Sequence, residues 1–222
     1  MRDAAARTYK LIVFDWDGTL SDSTSLIARS LQSALRDMGE PVPDDAEARF
    51  VIGLGLLDAL RTVAPNLPAT RHRELSSHYR RHFLAAEDSV PLFAGAADLL
   101  VELEAAGYFI AVATGKSRGG LDRALAQNAL AGRFHATRCA DEGRPKPHPD
   151  MLLHLIDFVG VTAGETLMIG DTTHDLELAR NAGVDAVAVA YGAHDREGLA
   201  RLSPRALVHS VAELRDWLQR NG

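Results

Sequence analysis

A single cysteine, Cys139, stands in 222 residues, so no intrachain disulfide can form and a reducing compartment is expected. No apolar run approaches the roughly 20 residues of a membrane span. The first residues, Met1–Arg7, have no apolar segment behind them and read as a frayed tail rather than a signal peptide. Positive charge is also scarce: 24 Lys and Arg face 30 Asp and Glu, for a formal net charge of -6. That balance argues against a nucleic-acid polyanion as the partner, yet leaves room for a small anion at a local positive site. A soluble cytoplasmic protein is expected, with no membrane and no nucleic-acid partner, as a monomer or homodimer. The 46% hydrophobic content supplies a proper core.

One further absence organises the chain. From Ser21 to about Val90 no convincing strand can be found. Helical segments fill this stretch at Ser23–Met38, Ala46–Val63 and Ala69–Leu84, punctuated by Pro41, Pro43, Pro65 and Pro68. On either side the pattern changes. Apolar runs at Leu11–Phe14, Phe109–Ala113, Thr166–Ile169 and Val184–Val189 read as core strands, with a weaker one at Ala136–Cys139. Helical periodicity lies between them, at Ala96–Ala106, Leu121–Leu130, Pro147–Val159 and Thr173–Ala182. A C-terminal helix carries Val211, Leu214, Trp217 and Leu218 onto the core. Alternating strand and helix imply an α/β fold, a doubly wound, Rossmann-like parallel sheet covered on both faces. The expected division is an α/β core of residues 1–20 and 91–222, with a small all-α cap domain of residues 21–90 inserted after the first strand.

Ligands of such sheets gather beyond the carboxyl ends of the strands. Asp15 and Asp17 follow the first strand, in Asp15-Trp16-Asp17-Gly18-Thr19-Leu20. Alternation along a strand points both carboxylates the same way, where they repel unless a cation sits between them or one holds a proton. Thr114-Gly115-Lys116-Ser117 follows the second strand. It is no nucleotide-binding P-loop, since Ile110 stands where the earlier glycine is required. Lys146, set between Pro145 and Pro147, precedes a helix, and Gly170-Asp171 with Asp175 ends the run Leu167–Ile169. Carboxylates with room for water suit Mg²⁺, while lysine and backbone N–H groups suit phosphate oxygens.

In this order, the four segments resemble the motifs of the haloacid dehalogenase-like hydrolase superfamily, and most closely its phosphoglycolate phosphatase-type members. The helical insert resembles that family's α-helical cap. The resemblance implies an Mg²⁺-dependent phosphatase acting on a small phosphorylated metabolite, a phosphoglycolate-like monoester, through an aspartyl-phosphate. It implies Asp15 as nucleophile and Asp17 as general acid and base. It assigns the metal to Asp15, the backbone carbonyl of Asp17, Asp171 and nearby Asp175, and the phosphoryl group to Thr114, Gly115 and Lys146. Asp17 separates the chain from the dehalogenases, which lack the second carboxylate, and Ile27 from the mutases, which carry histidine there. Gly115 departs from the pattern, since many members have Asn or Ser at that place. An inorganic pyrophosphatase, a nucleotide monophosphatase and a non-enzymatic phosphate or metal sensor are the alternatives.

Within the cap, Gly53 and Gly55 are candidates for close backbone approach to the substrate, and Arg49 for pairing with a substrate carboxylate. His174 either touches the site or caps a helix, and Lys116 either reaches an anion or lies exposed. His148 is expected to order the loop beside Lys146. His78 and His82, one helical turn apart, read as a metal pair or as a solvated helix face.

Overall fold

The computed structural model describes residues 8–222, so the expected frayed tail lies outside the described residues. Among those residues six strands form one parallel sheet in the order β3-β2-β1-β4-β5-β6. They are β1 (Leu11–Phe14), β2 (Phe109–Thr114), β3 (Ala136–Cys139), β4 (Thr166–Gly170), β5 (Asp185–Val189) and β6 (Ala206–Val208). The chain moves outward from β1 to β3, then crosses to the far side of β1 and moves outward again through β4 to β6. That reversal opens a crevice at the carboxyl ends of β1 and β4, the place where doubly wound sheets bind ligands. Register sharpens the point. Phe14 pairs with Ile169, and the Asp15 N–H donates to the Ile169 carbonyl at 2.9 Å. The residues just beyond both strands therefore emerge side by side.

Alternate residues of each strand feed opposite apolar layers, as period-two geometry requires. Ile12, Phe14, Ile110 and Val112 pack with Leu99, Leu103, Leu121 and Leu214. Their neighbours Leu11, Val13, Ala111 and Met168 pack with Met151, Leu155 and Leu178 on the other face. The covering helices are α5 (Ala96–Ala105), α6 (Arg118–Gln127), α7 (Asp150–Val159), α8 (Thr173–Ala182), α9 (Arg196–Arg201) and α10 (Val211–Asn221). Trp217 of α10 stacks on Tyr9, with ring centroids 6.5 Å apart.

Between β1 and β2 the described chain is helical: α1 (Thr24–Asp37), α2 (Asp45–Phe50), α3 (Leu56–Val63) and α4 (His72–Leu84). These helices enclose an apolar cluster of their own around Leu31, Leu35, Val51, Leu60 and Leu75. The outgoing and returning segments run side by side, the Asp22 N–H donating to the Pro91 carbonyl and the Phe93 N–H to that of Leu20.

Several boundaries differ from expectation. The single helix expected over 46–63 is two helices, because Gly53 takes a left-handed φ of 94° and Gly55 serves as the N-cap of α3. The helix expected from Pro147 starts at Asp150, after the proline-bounded turn. His78 and His82 are neither a metal pair nor merely solvated. Both reach Asp37 of α1, at 3.3 and 2.6 Å, and Arg81 joins them at 2.7 Å. The direct bond from His82, followed by those from His78 and Arg81, holds the Asp37 carboxyl down at about 2. They pin α4 to α1. No helix among the described residues is long and apolar enough to cross a membrane.

Candidate active site

Four segments meet at the carboxyl edge of the sheet around one buried lysine. The Lys146 ammonium donates to Asp15 Oδ1 and to Asp175 Oδ1, both at 2.6 Å, and all three side chains are essentially inaccessible. Asp15, Asp171 and Asp175 bring one carboxylate oxygen each within 4.8 Å of one another, the one such metal-ligating group among the described residues. Local chemistry fixes each of them. Asp175 lies in the first turn of α8 and accepts from the Thr172 N–H at 3.0 Å and hydroxyl at 2.7 Å. Asp171 accepts from the Thr19 hydroxyl at 2.7 Å and the Ala193 N–H at 2.8 Å. Asp15 uses one oxygen on Lys146, and its Oδ2 is buried without a partner.

Three carboxylates around one ammonium leave an excess of buried negative charge, and the titration behaviour reflects it. Burial pushes Asp15 up to about 7, against the pull of Lys146. Burial, then the charges of Asp15 and Asp175, hold Asp171 well above the usual carboxylate range. Burial works against the Lys146 ammonium, but Asp15 and Asp175 outweigh it and raise the group. An all-oxygen donor set, with excess negative charge and a bare buried oxygen, fits a hard divalent cation.

The Asp17 side chain stands apart from this cluster. Its Oδ1 accepts from the Ser23 hydroxyl at 2.6 Å and lies 3.1 Å from the Lys116 ammonium, which also sits 4.8 Å from the Phe83 ring centre. Ser23 occupies the N-cap position of α1 but makes no cap bond, its hydroxyl being given to Asp17. With that carboxylate engaged toward the helical layer, only the main chain of Asp17 is left for the metal role that the motif resemblance implies. Thr114 is fully buried at the end of β2, its hydroxyl accepting the Lys116 N–H at 3.1 Å. Lys146 and Pro147 are joined by a cis peptide. His148 receives a bond from Arg144 at 2.8 Å and accepts the Asp150 N–H at 3.2 Å, ordering the turn before α7.

Two glycines permit the close packing. A Cβ on Gly18, where φ is 89°, would lie 2.1 Å from Asp171 Oδ2. A Cβ on Gly115 would lie 2.6 Å from the Gly53 carbonyl and 2.5 Å from that of Leu54. Gly115 thus stands where others of the family carry Asn or Ser because the cap backbone passes over it.

Arg49, expected to face a substrate carboxylate, is used inside the helical layer. It bonds Asp45 at 2.7 Å and the hydroxyls of Thr24 and Ser25 at 3.0 Å, and it does not line the cavity between layer and sheet. Gly53 and Gly55 do line it. His174 turns to the cap rather than to the carboxylates. Its Nε2 and that of His194 each donate to the Phe50 carbonyl at 2.9 Å. His194 Nδ1 accepts the Thr173 N–H at 3.0 Å, which sets its tautomer with the proton on Nε2. The Phe50 ring stacks on His194, with centroids 5.2 Å apart. Nothing in the motif pattern pointed to His194 or Ser23, since each works through a distant partner.

This pair of histidines fastens the loop that walls the site. Replacing His194 with Ala removes one hydrogen bond and one ring contact, together about 2 kcal/mol. Hydrogen exchange over Phe50–Gly55 should accelerate at least about ten-fold while α10 is unchanged, a difference measurable by mass spectrometry. Equal exchange in both proteins would show that the contact does not hold the loop.

A parallel α/β core with a helical insert, converging carboxylates and a buried lysine at its switch point defines a hydrolase class. The chain belongs to the haloacid dehalogenase-like hydrolases, whose family profile matches residues 12–189. Similar curated proteins include a 5'-nucleotidase of Pseudomonas aeruginosa, 36% identical over 99% of both chains. A phosphoglycolate phosphatase of Vibrio cholerae is 31% identical over 94% of this chain and 96% of its own. The fold matches the crystal structure of a hydrolase from Pseudomonas syringae, with a TM-score of 0.88 at 22% identity, covering 96% and 98% of the two chains. The protein is a phosphatase-type member of this family.

Proposed function

We propose that the protein is an Mg²⁺-dependent phosphatase that hydrolyses the phosphomonoester of a small metabolite through an aspartyl-phosphate on Asp15. The observation that carries this reading is the Asp15 carboxylate, which has one oxygen held by Lys146 and the other buried and free. Oδ2 forms the bond to phosphorus as the bond to the leaving oxygen breaks, and the proton on Asp17 passes to that leaving alkoxide. In the second half Asp17 takes a proton from water, whose oxygen attacks phosphorus. The bond to Oδ2 breaks, inorganic phosphate departs, and Asp17 is again protonated.

The Thr114 hydroxyl, the Gly115 N–H and the Lys146 ammonium hold the phosphoryl oxygens and offset their charge as the transition state forms. Asp15, Asp171 and the carbonyl of Asp17, with Asp175 beside them, would hold the cation. When bound, that ion neutralises the repulsion between a carboxylate nucleophile and an anionic phosphate. The names of the two relatives bracket the leaving group between a two-carbon acid and a nucleoside.

The test combines a rate with a binding signal. Metal-stripped protein should release no phosphate from p-nitrophenyl phosphate above the uncatalysed rate, and Mg²⁺ should restore release. Mg²⁺ at 100 times its Kd should also stabilise the wild type by about 2.7 kcal/mol, but not an Asp171→Asn variant. Full activity in excess chelator would overturn the metal-dependent reading.

A further inference from the structure

Between the helical layer and the sheet edge lies a cavity of about 660 Å³ that reaches Asp17 and is walled by Ile27, Leu31, Leu57 and Phe83. Cavities of this size enclose ligands far larger than a phosphorylated two-carbon acid. The cations along its wall are already committed. Lys116 lies on Asp17 at 3.1 Å, Arg61 on Asp58 at 3.2 Å and Arg123 on Glu87 at 3.1 Å. Arg80, exposed, is the one lining cation without an ion pair among the described residues, and water screens its charge.

Two polar groups on the wall remain unspent. Glu87 is 6% exposed; its Oε2 accepts from Arg123, while Oε1 is buried with no partner. Tyr79 lines the same cavity, and its hydroxyl makes no hydrogen bond among the described residues. Burial, then the charges of Asp17 and Glu87, raise its phenol above the ordinary value, so it stays a neutral donor and acceptor close to both acids.

A carboxylate on the leaving group would therefore meet apolar walls, an acid and no buried free cation, an arrangement that costs binding energy. A hydroxyl would donate to the Glu87 carboxylate and exchange bonds with Tyr79. Building on the phosphatase reading, we propose that the leaving group is an uncharged, hydroxyl-bearing ring of sugar or nucleoside class, and that Glu87 and Tyr79 select it over a carboxylate-bearing one.

The experiment compares kcat/KM of the Mg²⁺-loaded enzyme for a hexose 6-phosphate, a nucleoside 5'-monophosphate and phosphoglycolate, with p-nitrophenyl phosphate as reference. At least one of the first two should exceed phosphoglycolate about ten-fold or more, and which of them does so distinguishes sugar from nucleoside. Glu87→Gln should lower that preference ratio at least about ten-fold, and Tyr79→Phe at least about three-fold. A wild-type preference for phosphoglycolate overturns the proposal, even if p-nitrophenyl phosphate is turned over well. So does a loss in both variants that is equal for every substrate, which marks a merely structural role. Turnover of no phosphate ester at all, the reference included, overturns the phosphatase reading and this proposal with it.

Discussion

Replacing Asp15 with Asn is expected to cut phosphate release by at least about four powers of ten while leaving the protein folded. The amide keeps the volume of the carboxylate and retains an oxygen for Lys146, but it offers no anionic oxygen to phosphorus. Folding should not suffer, because the charged form of Asp15 is the costly one in this setting. Its folded pKa of about 7 exceeds the ordinary carboxylate value, so the native state binds the extra proton. The stability this contributes is full below the unfolded pKa and is lost as pH rises through about 7. In chelator, the variant's Tm should therefore gain on the wild type's as pH is raised from about 4 to 7. Stopped-assay phosphate release and a pH series of thermal melts check both halves. Turnover near the wild-type level would remove Asp15 as the nucleophile.

The second large effect is expected at Lys146. Lys146→Met leaves Asp15, Asp171 and Asp175 crowded together with no countercharge, where the wild type has an ammonium within 2.6 Å of two of them. Breaking a buried ion pair from one side costs about 3–5 kcal/mol. The denaturation midpoint of the metal-free variant should fall accordingly. Phosphate release should fall by about two to three powers of ten as well, because a donor aimed at the phosphoryl oxygens is lost. Mg²⁺ should restore part of the stability and little of the rate. An unchanged midpoint in chelator would show that the lysine is not the countercharge of this cluster.

The legibility of the site follows from its distribution along the chain. Asp15, Thr114 and Asp171 each stand at or just beyond the end of an apolar run, so strand periodicity alone marks where they emerge. Lys146 is flanked by prolines, which make its loop conspicuous. Partners that act across long sequence separations carry no such mark. The His194 contact with Phe50 spans 144 residues and the Thr19 bond to Asp171 spans 152. Arg49 was misleading for the converse reason. An arginine at a helix end has the same local pattern whether it faces a ligand or binds Asp45 and two hydroxyls of a neighbouring helix. Strand β6 and helix α9 escaped notice because three and six residues are too few to display a period.

By itself, then, the order of apolar runs and turns determined a parallel α/β core, a helical insertion after the first strand, and the carboxylates and lysine that belong together. Side-chain periodicity and turn chemistry are local, and they act before any distant contact forms. Tertiary structure alone decided how the charges are shared, which histidines fasten the loop around Phe50, and that Arg49 turns away while Glu87 and Tyr79 line the cavity. Those outcomes depend on which surfaces meet when the helical layer packs over the sheet, and a residue's neighbours in sequence do not specify its neighbours across that junction.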